Sequence, residues 1–116
     1  MAEPLVESAG DAKIDLSAQH LVAVRGILRR HVPGLEIWAF GSRVTGRAKP
    51  YSDLDLAIMS QVPLPLAVYA GLSDDFAESD LPFKVDLVDW ATTKEAFRSI
   101  IAQNRVVVQT QPTESG

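Results

Sequence analysis

The chain has 116 residues, of which 47% are hydrophobic and 22% are charged, and these values predict one ordinary globular domain. The formal net charge of −4 argues against stable nucleic-acid binding by this chain alone, because such proteins usually carry a basic surface. The absence of cysteine excludes a disulfide framework and thiolate metal sites. The sequence shows neither a signal peptide nor an apolar run near the ~20 residues of a membrane span, so we expect a cytoplasmic protein.

The chain opens with a polar segment, residues 1–14, which we predict to be a flexible arm. A single globular domain is then predicted over residues 15–109, and a polar tail is predicted over residues 110–116. The domain begins with a helix, because apolar residues recur at helical spacing at Leu21, Val22, Val24, Ile27 and Leu28. Asp15 or Ser17 can cap the start of this helix, and Pro33-Gly34 ends it.

Four short strands alternate with further helices in the rest of the domain. Strands are predicted over residues 35–40, 53–59, 83–90 and 106–108. One or two helical turns are expected at 42–46, and a longer helix is expected over 66–79. A last helix opens at Thr92, which forms a capping box with Glu95. This alternation predicts an α/β fold with a small sheet.

Two aspartates mark the second predicted strand. In a strand, residues i and i+2 point to the same face, so Asp53 and Asp55 project together while Leu54 and Leu56 point into the core. Adjacent carboxylates raise each other's pKa unless a cation lies between them. A solvated turn is the commoner origin of such a pair, and the remaining sequence has to decide between a turn and a metal site.

A third aspartate favours the metal site. Asp86 lies in the apolar segment KVDLVDW, where an unpaired buried carboxylate would be costly. If this strand lies beside that of Asp53, three carboxylates meet. Asp89 is a rival ligand, but it lies nearer the strand end and points to the other face. Three acids without His or Cys are typical of Mg²⁺ or Mn²⁺, and two such ions can clamp the attacking and leaving oxygens in nucleotidyl transfer.

Gly41-Ser42 is a candidate phosphate-binding turn. Glycine lets the backbone approach a ligand, and the N–H groups at a helix start bind phosphate. A plain glycine turn with a serine cap is the structural alternative. Gly41 and Gly46 also have the spacing of a P-loop, but Arg47 and Ala48 replace the residues that contact phosphate and Mg²⁺, so we reject a P-loop.

Together these motifs resemble the DNA polymerase β-like nucleotidyltransferase superfamily. The pattern G-S-x-x-x-G followed by S-D-x-D-L is most similar to its minimal nucleotidyltransferase (MNT) branch, and the resemblance covers about residues 17–108. It rests on Gly41, Ser42, Gly46, Ser52, Asp53, Asp55, Leu56 and Asp86. The resemblance implies the nucleotidyltransferase core fold, a short mixed β-sheet with helices packed on one face.

The resemblance also implies a role for each site residue. Gly41 and Ser42 would hold the β- and γ-phosphates of a nucleoside triphosphate. Asp53 and Asp55 would bind both metal ions, and Asp86 would complete one metal site and help to deprotonate the incoming hydroxyl. Arg43 would contact a phosphate or, equally, be a surface charge. The implied cofactor is Mg²⁺ or Mn²⁺, with ATP as the substrate.

A partner protein is the last expectation. Larger members of the superfamily carry a helical domain that closes over the site, and we expect none here, because the given sequence ends soon after the predicted core fold. The resemblance therefore implies a small helical HEPN-type partner, often a toxic ribonuclease, that the MNT protein neutralises as an antitoxin, in some cases by transferring AMP to a tyrosine. A non-enzymatic binding antitoxin and an aminoglycoside-type enzyme are the alternatives. The three acids favour an enzyme, and the homo- or hetero-oligomeric state is open.

Overall fold

A computed structural model describes residues 14–111 and contains four helices and four strands in that range. The helices are α1 (Ala18–His31), α2 (Ser42–Thr45), α3 (Leu66–Ala77) and α4 (Glu95–Gln103). The strands are β1 (Ile37–Phe40), β2 (Leu54–Ile58), β3 (Val85–Asp89) and β4 (Val106–Gln109). The predicted arm lies outside the described residues except for its last residue, Ile14, which packs against the core. Most of the predicted tail also lies outside them.

The four strands form one mixed sheet with the order β3-β2-β1-β4. β1 pairs antiparallel with both β2 and β4, whereas β2 and β3 are parallel. A parallel pair needs a long crossover, and α3 lies in the connection that supplies it. The register places Phe40 opposite Asp55, and Asp55 level with Asp86. The predicted short mixed sheet is therefore confirmed.

The main core lies between one face of the sheet and the helices α1 and α3. Its buried side chains come from both helices and all four strands or their flanking loops, and they include Val24, Leu28, Ile37, Leu54, Leu56, Leu72, Phe83 and Val108. The Ser17 hydroxyl caps α1 by accepting a hydrogen bond from the N–H of His20 at 3.1 Å. Of the two predicted capping residues, Asp15 and Ser17, Ser17 is therefore the one that caps the helix. Val22 is 69% exposed and lies outside the buried stripe, so its predicted place in that stripe is wrong.

The opposite face of the sheet is covered by α4. Ile101 of α4 is buried against Phe40 and Ala57, which point away from the main core because side chains alternate along a strand. The expectation that the helices lie on one face is therefore wrong. The strands β1, β2 and β3 carry apolar side chains on both faces, and each apolar face has to be covered.

The predicted capping box at the start of α4 is also wrong. Lys94 is the N-cap residue and makes no side-chain capping bond. The Thr92 hydroxyl instead donates to the Asp89 carbonyl at 3.1 Å, within a 3₁₀ turn that precedes α4. The Asp89 carboxylate accepts bonds from the Ser60 hydroxyl and from the backbone N–H of Leu64, so Asp89 holds this turn together. Among the helices of residues 14–111, none has the length and hydropathy that crossing a membrane requires.

Candidate active site

The three predicted acids lie on two neighbouring strands and on the same face of the sheet. Asp53 immediately precedes β2, Asp55 lies within β2, and Asp86 on β3 is level with Asp55. The residues that alternate with the acids pack into the main core, and they are Leu54, Leu56, Val85 and Leu87. Because side chains alternate along a strand, the three carboxylates point to the opposite face of the sheet. The face that carries the acids is the one that α4 covers farther along the strands.

The electrostatics of Asp55 reflect this crowding. The pKa of Asp55 is raised to about 6, chiefly by partial burial and additionally by the negative charges of Asp86 and Asp53. The ion pairs found within residues 14–111 join Asp75 to Arg30 and His31, so none of them neutralises the three acids. The site therefore concentrates negative charge that a bound cation would relieve.

The donor set fits a hard divalent cation. The three side chains offer only carboxylate oxygens, which are the ligands that Mg²⁺ and Mn²⁺ prefer. No group of three His, Cys, Asp or Glu side chains in the described part of the chain is already arranged closely enough to hold a metal ion. Asp53 and Asp86 are exposed, so their side chains are free to rotate towards Asp55 when a cation binds.

The Gly41 turn is in direct contact with Asp55. Gly41 has φ 83° and ψ −156°, a conformation that is essentially restricted to glycine, and it begins the short helix α2. A Cβ atom on Gly41 would overlap the Asp55 carboxylate. Ser42 is half-buried and begins α2 directly after this turn. The candidate phosphate turn and the candidate metal ligands thus form one continuous site.

Arg43 connects backbone segments inside the protein, whereas the expectation from the sequence is a phosphate contact or a surface charge. Its side chain is buried, with 6% exposure, so it is not a surface charge. Its guanidinium donates to the carbonyls of Asp15, Pro50 and Ser52 at 2.8, 3.0 and 2.9 Å, and its carbon Cζ lies 4.3 Å from the ring centre of Phe83. These contacts commit the guanidinium to the protein interior, away from a phosphate. No sequence pattern predicts this role, because the partners of Arg43 are backbone carbonyls.

Comparisons with known proteins show the family to which the chain belongs. Residues 21–109 match the family described as the nucleotidyltransferase domain. A protein of Haemophilus influenzae named "Probable protein adenylyltransferase MntA" is 53% identical over 98 residues, which are 84% of this chain and 86% of that protein.

Two solved structures share the fold. One is a chain from the crystal structure of a toxin–antitoxin with AMP-PNP, with a TM-score of 0.65, 26% identity, and coverage of 82% of this chain and 76% of that chain. The other comes from the tri-AMPylated Shewanella oneidensis HEPN toxin in complex with MNT antitoxin, with a TM-score of 0.61, 26% identity, and coverage of 80% and 72%. With its family match, its relative and its site in agreement, this chain belongs to the nucleotidyltransferase domain family.

Proposed function

We propose that this chain is a protein adenylyltransferase that transfers AMP from ATP to a tyrosine hydroxyl of a HEPN-type toxin, and so acts as the antitoxin of the pair. The relative from Haemophilus influenzae supports the activity. The structurally similar MNT antitoxin, which was solved in complex with a tri-AMPylated HEPN toxin, supports the choice of partner. The structural observation that carries the proposal is the contact between the Gly41 turn and Asp55, with Asp86 level with it on the next strand.

The proposed roles follow the layout of the site. Gly41 and Ser42 hold the β- and γ-phosphates of ATP, and the hydroxyl of Ser42 adds a donor. Asp53 and Asp55 are ligands of Mg²⁺ or Mn²⁺, and Asp86 completes the ligand set. When bound, the metal ions neutralise the phosphate charge that develops during transfer. Arg43 has no part in phosphate binding, because its guanidinium is bonded elsewhere.

The transfer itself requires one proton acceptor and one leaving group. The acceptor hydroxyl gives its proton to Asp86, and its oxygen forms a bond to the α-phosphorus. The bond between the α-phosphorus and the bridging oxygen breaks, and pyrophosphate leaves on the opposite side. Asp86 is suited to the proton transfer because its side chain is exposed on the catalytic face.

The decisive experiment is intact-mass spectrometry of the helical partner. The partner is co-purified with the Asp53→Asn chain, so that it is obtained unmodified, and is then incubated with the wild-type chain, ATP and Mg²⁺. We expect the partner to gain AMP units with the wild-type chain and none with Asp53→Asn. A partner that is neutralised without any gain of mass would instead establish a binding antitoxin, and failure to find a partner would favour a small-molecule acceptor.

The domain boundaries and the cellular location belong to the same proposal. We place the catalytic domain at residues 15–109, with residues 1–14 and 110–116 as flanking segments. The family match over residues 21–109 supports these limits. A cytoplasmic location is consistent with an ATP-dependent reaction on an RNA-cleaving partner.

A further inference from the structure

Lys84 lies beside the acids, at the rim of the site. It is the residue before β3, and its carbonyl accepts the N–H of Leu54 at 2.9 Å, which extends the parallel ladder by one residue. Since Leu54 is paired with Val85, Lys84 is level with Asp53 on the neighbouring strand. Adjacent strands are ~4.8 Å apart, so these two residues are immediate neighbours.

The side chain of Lys84 lies on the face of the sheet that carries Asp55 and Asp86. Phe83 and Val85, on either side of it, pack into the main core, so Lys84 points to the same side as Asp86. Lys84 is exposed, and none of the ion pairs within the described range involves it. The charges that act on Asp55 are those of Asp86 and Asp53. The ammonium group is therefore available to a substrate.

The strand order determines which substrate Lys84 faces. The Gly41 turn follows β1, Asp55 lies on β2, and Lys84 adjoins β3, so Lys84 is two strands away from the phosphate turn. In-line transfer places the attacking oxygen opposite the leaving group. With the β- and γ-phosphates at the Gly41 turn, the attacking hydroxyl approaches over β3, where Lys84 and Asp86 lie two residues apart on one face.

We propose that Lys84 binds the acceptor hydroxyl oxygen and stabilises its negative charge as it attacks the α-phosphorus. This inference rests on the proposed function, and it adds an acceptor-binding residue to the site. A tyrosine hydroxyl ionises with a pKa of about 10, and a neighbouring cation favours the ionised form. Asp86 takes the proton, the oxygen bonds to the α-phosphorus, and pyrophosphate departs as the bond to its bridging oxygen breaks, while Lys84 supplies a hydrogen bond and exchanges no proton.

The test separates acceptor binding from ATP binding. Lys84→Met and Lys84→Arg are compared with Lys94→Met, which removes an exposed lysine at the start of α4. Initial rates of AMP transfer are measured while either ATP or the unmodified partner is varied, and the affinity for AMP-PNP with Mg²⁺ is measured by calorimetry.

We expect Lys84→Met to lower kcat/KM for the partner by about 10- to 100-fold, the range of one charge-assisted hydrogen bond. The KM for ATP and the affinity for AMP-PNP should stay within about twofold of wild type. Lys84→Arg should recover most of the transfer, and Lys94→Met should match wild type.

Two results would overturn the inference alone: a Lys84→Met chain with wild-type transfer, or one whose loss is explained by weaker AMP-PNP binding. If the wild-type chain itself transfers no AMP, the proposed function fails and the role of Lys84 fails with it. Thermal unfolding of each variant verifies that the compared chains are folded.

Discussion

Asp55 touches the Gly41 turn on one side and is level with Asp86 on the other, so a change at this residue acts on both halves of the site. We expect Asp55→Asn, and likewise Asp53→Asn, to reduce AMP transfer by on the order of 1,000-fold, because the charge stabilisation supplied through metal ligands amounts to several kcal/mol. Transfer of label from ATP to the partner measures the effect. Asp80→Asn, an exposed carboxylate after α3, is the matched control. Wild-type transfer by the Asp53→Asn/Asp55→Asn double variant would disprove the catalytic assignment.

Gly41 and Gly46 allow the effect of backbone conformation to be separated from the effect of contact with Asp55. Both have φ 83°, but a Cβ at Gly41 meets the Asp55 carboxylate whereas a Cβ at Gly46 meets nothing within 4 Å. Alanine at Gly46 should cost about 1–2 kcal/mol of folding free energy through its backbone conformation alone. Gly41→Ala should cost more and should also weaken AMP-PNP binding, since Asp55 must move. Calorimetric titration and urea unfolding of both variants distinguish the two effects, and equal losses in the pair would show that the contact with Asp55 is unimportant.

At the scale of elements, Arg43 joins α2 to the segment before α1 and to the loop before β2. Arg43→Ala leaves three carbonyls without their donor, and we expect it to lower the free energy of unfolding by about 3 kcal/mol. Arg43→Lys should recover little, because an ammonium group cannot reach the same fork of acceptors. The exposed neighbour Arg47 serves as the control, since its replacement by alanine should change stability by less than about 0.5 kcal/mol. An Arg43→Ala chain of wild-type stability in urea would contradict this structural role.

The elements themselves were largely predictable, because their signals are local. The spacing of Val24, Ile27 and Leu28 defines α1, and the alternation around Asp55 defines β2 and the face of its carboxylate. The side of the sheet that α4 covers was not predictable, since its apolar stripe fits either face. Likewise, the Thr92 hydroxyl could bond either to a backbone N–H at the start of α4 or to a preceding carbonyl, and in the structure it donates to the carbonyl of Asp89. The position of Arg43 depends on long-range contacts that no local pattern records.

At the scale of the whole molecule, the raised pKa of Asp55 makes stability depend on pH. A carboxyl group with a higher pKa in the folded state stabilises the fold below its unfolded pKa of 3.8, and that contribution is lost as the pH rises through about 6. Without metal ions, the wild-type chain should therefore lose stability over this interval, by on the order of 1 kcal/mol after allowance for solvent screening.

Urea unfolding of wild type and Asp55→Asn across this pH interval measures the effect. The pKa of Asp75 is lowered by its hydrogen bonds to Arg30 and His31, which gives the opposite slope, but this pair is present in both chains and cancels in the comparison. Asp55→Asn should gain stability relative to wild type above about pH 6, and added Mg²⁺ should stabilise only the wild type. Parallel pH profiles for the two chains would contradict the pKa assignment.

The position of β3 at one edge of the sheet has a consequence for turnover. Within residues 14–111, β3 pairs with β2 alone, whereas the Gly41 turn and Asp53–Asp55 adjoin the antiparallel pair at the centre. A strand at the edge of a sheet is held by one ladder of backbone hydrogen bonds rather than two, so a local opening that displaced β3 would separate Asp86 and Lys84 from Asp53, Asp55 and the Gly41 turn. In the proposed reaction, such an opening would leave the phosphate turn in place and withdraw the residues assigned to the acceptor hydroxyl. A partner that docks against the outer edge of β3 would oppose this opening, so the proposed acceptor would itself favour the arrangement in which its modification takes place.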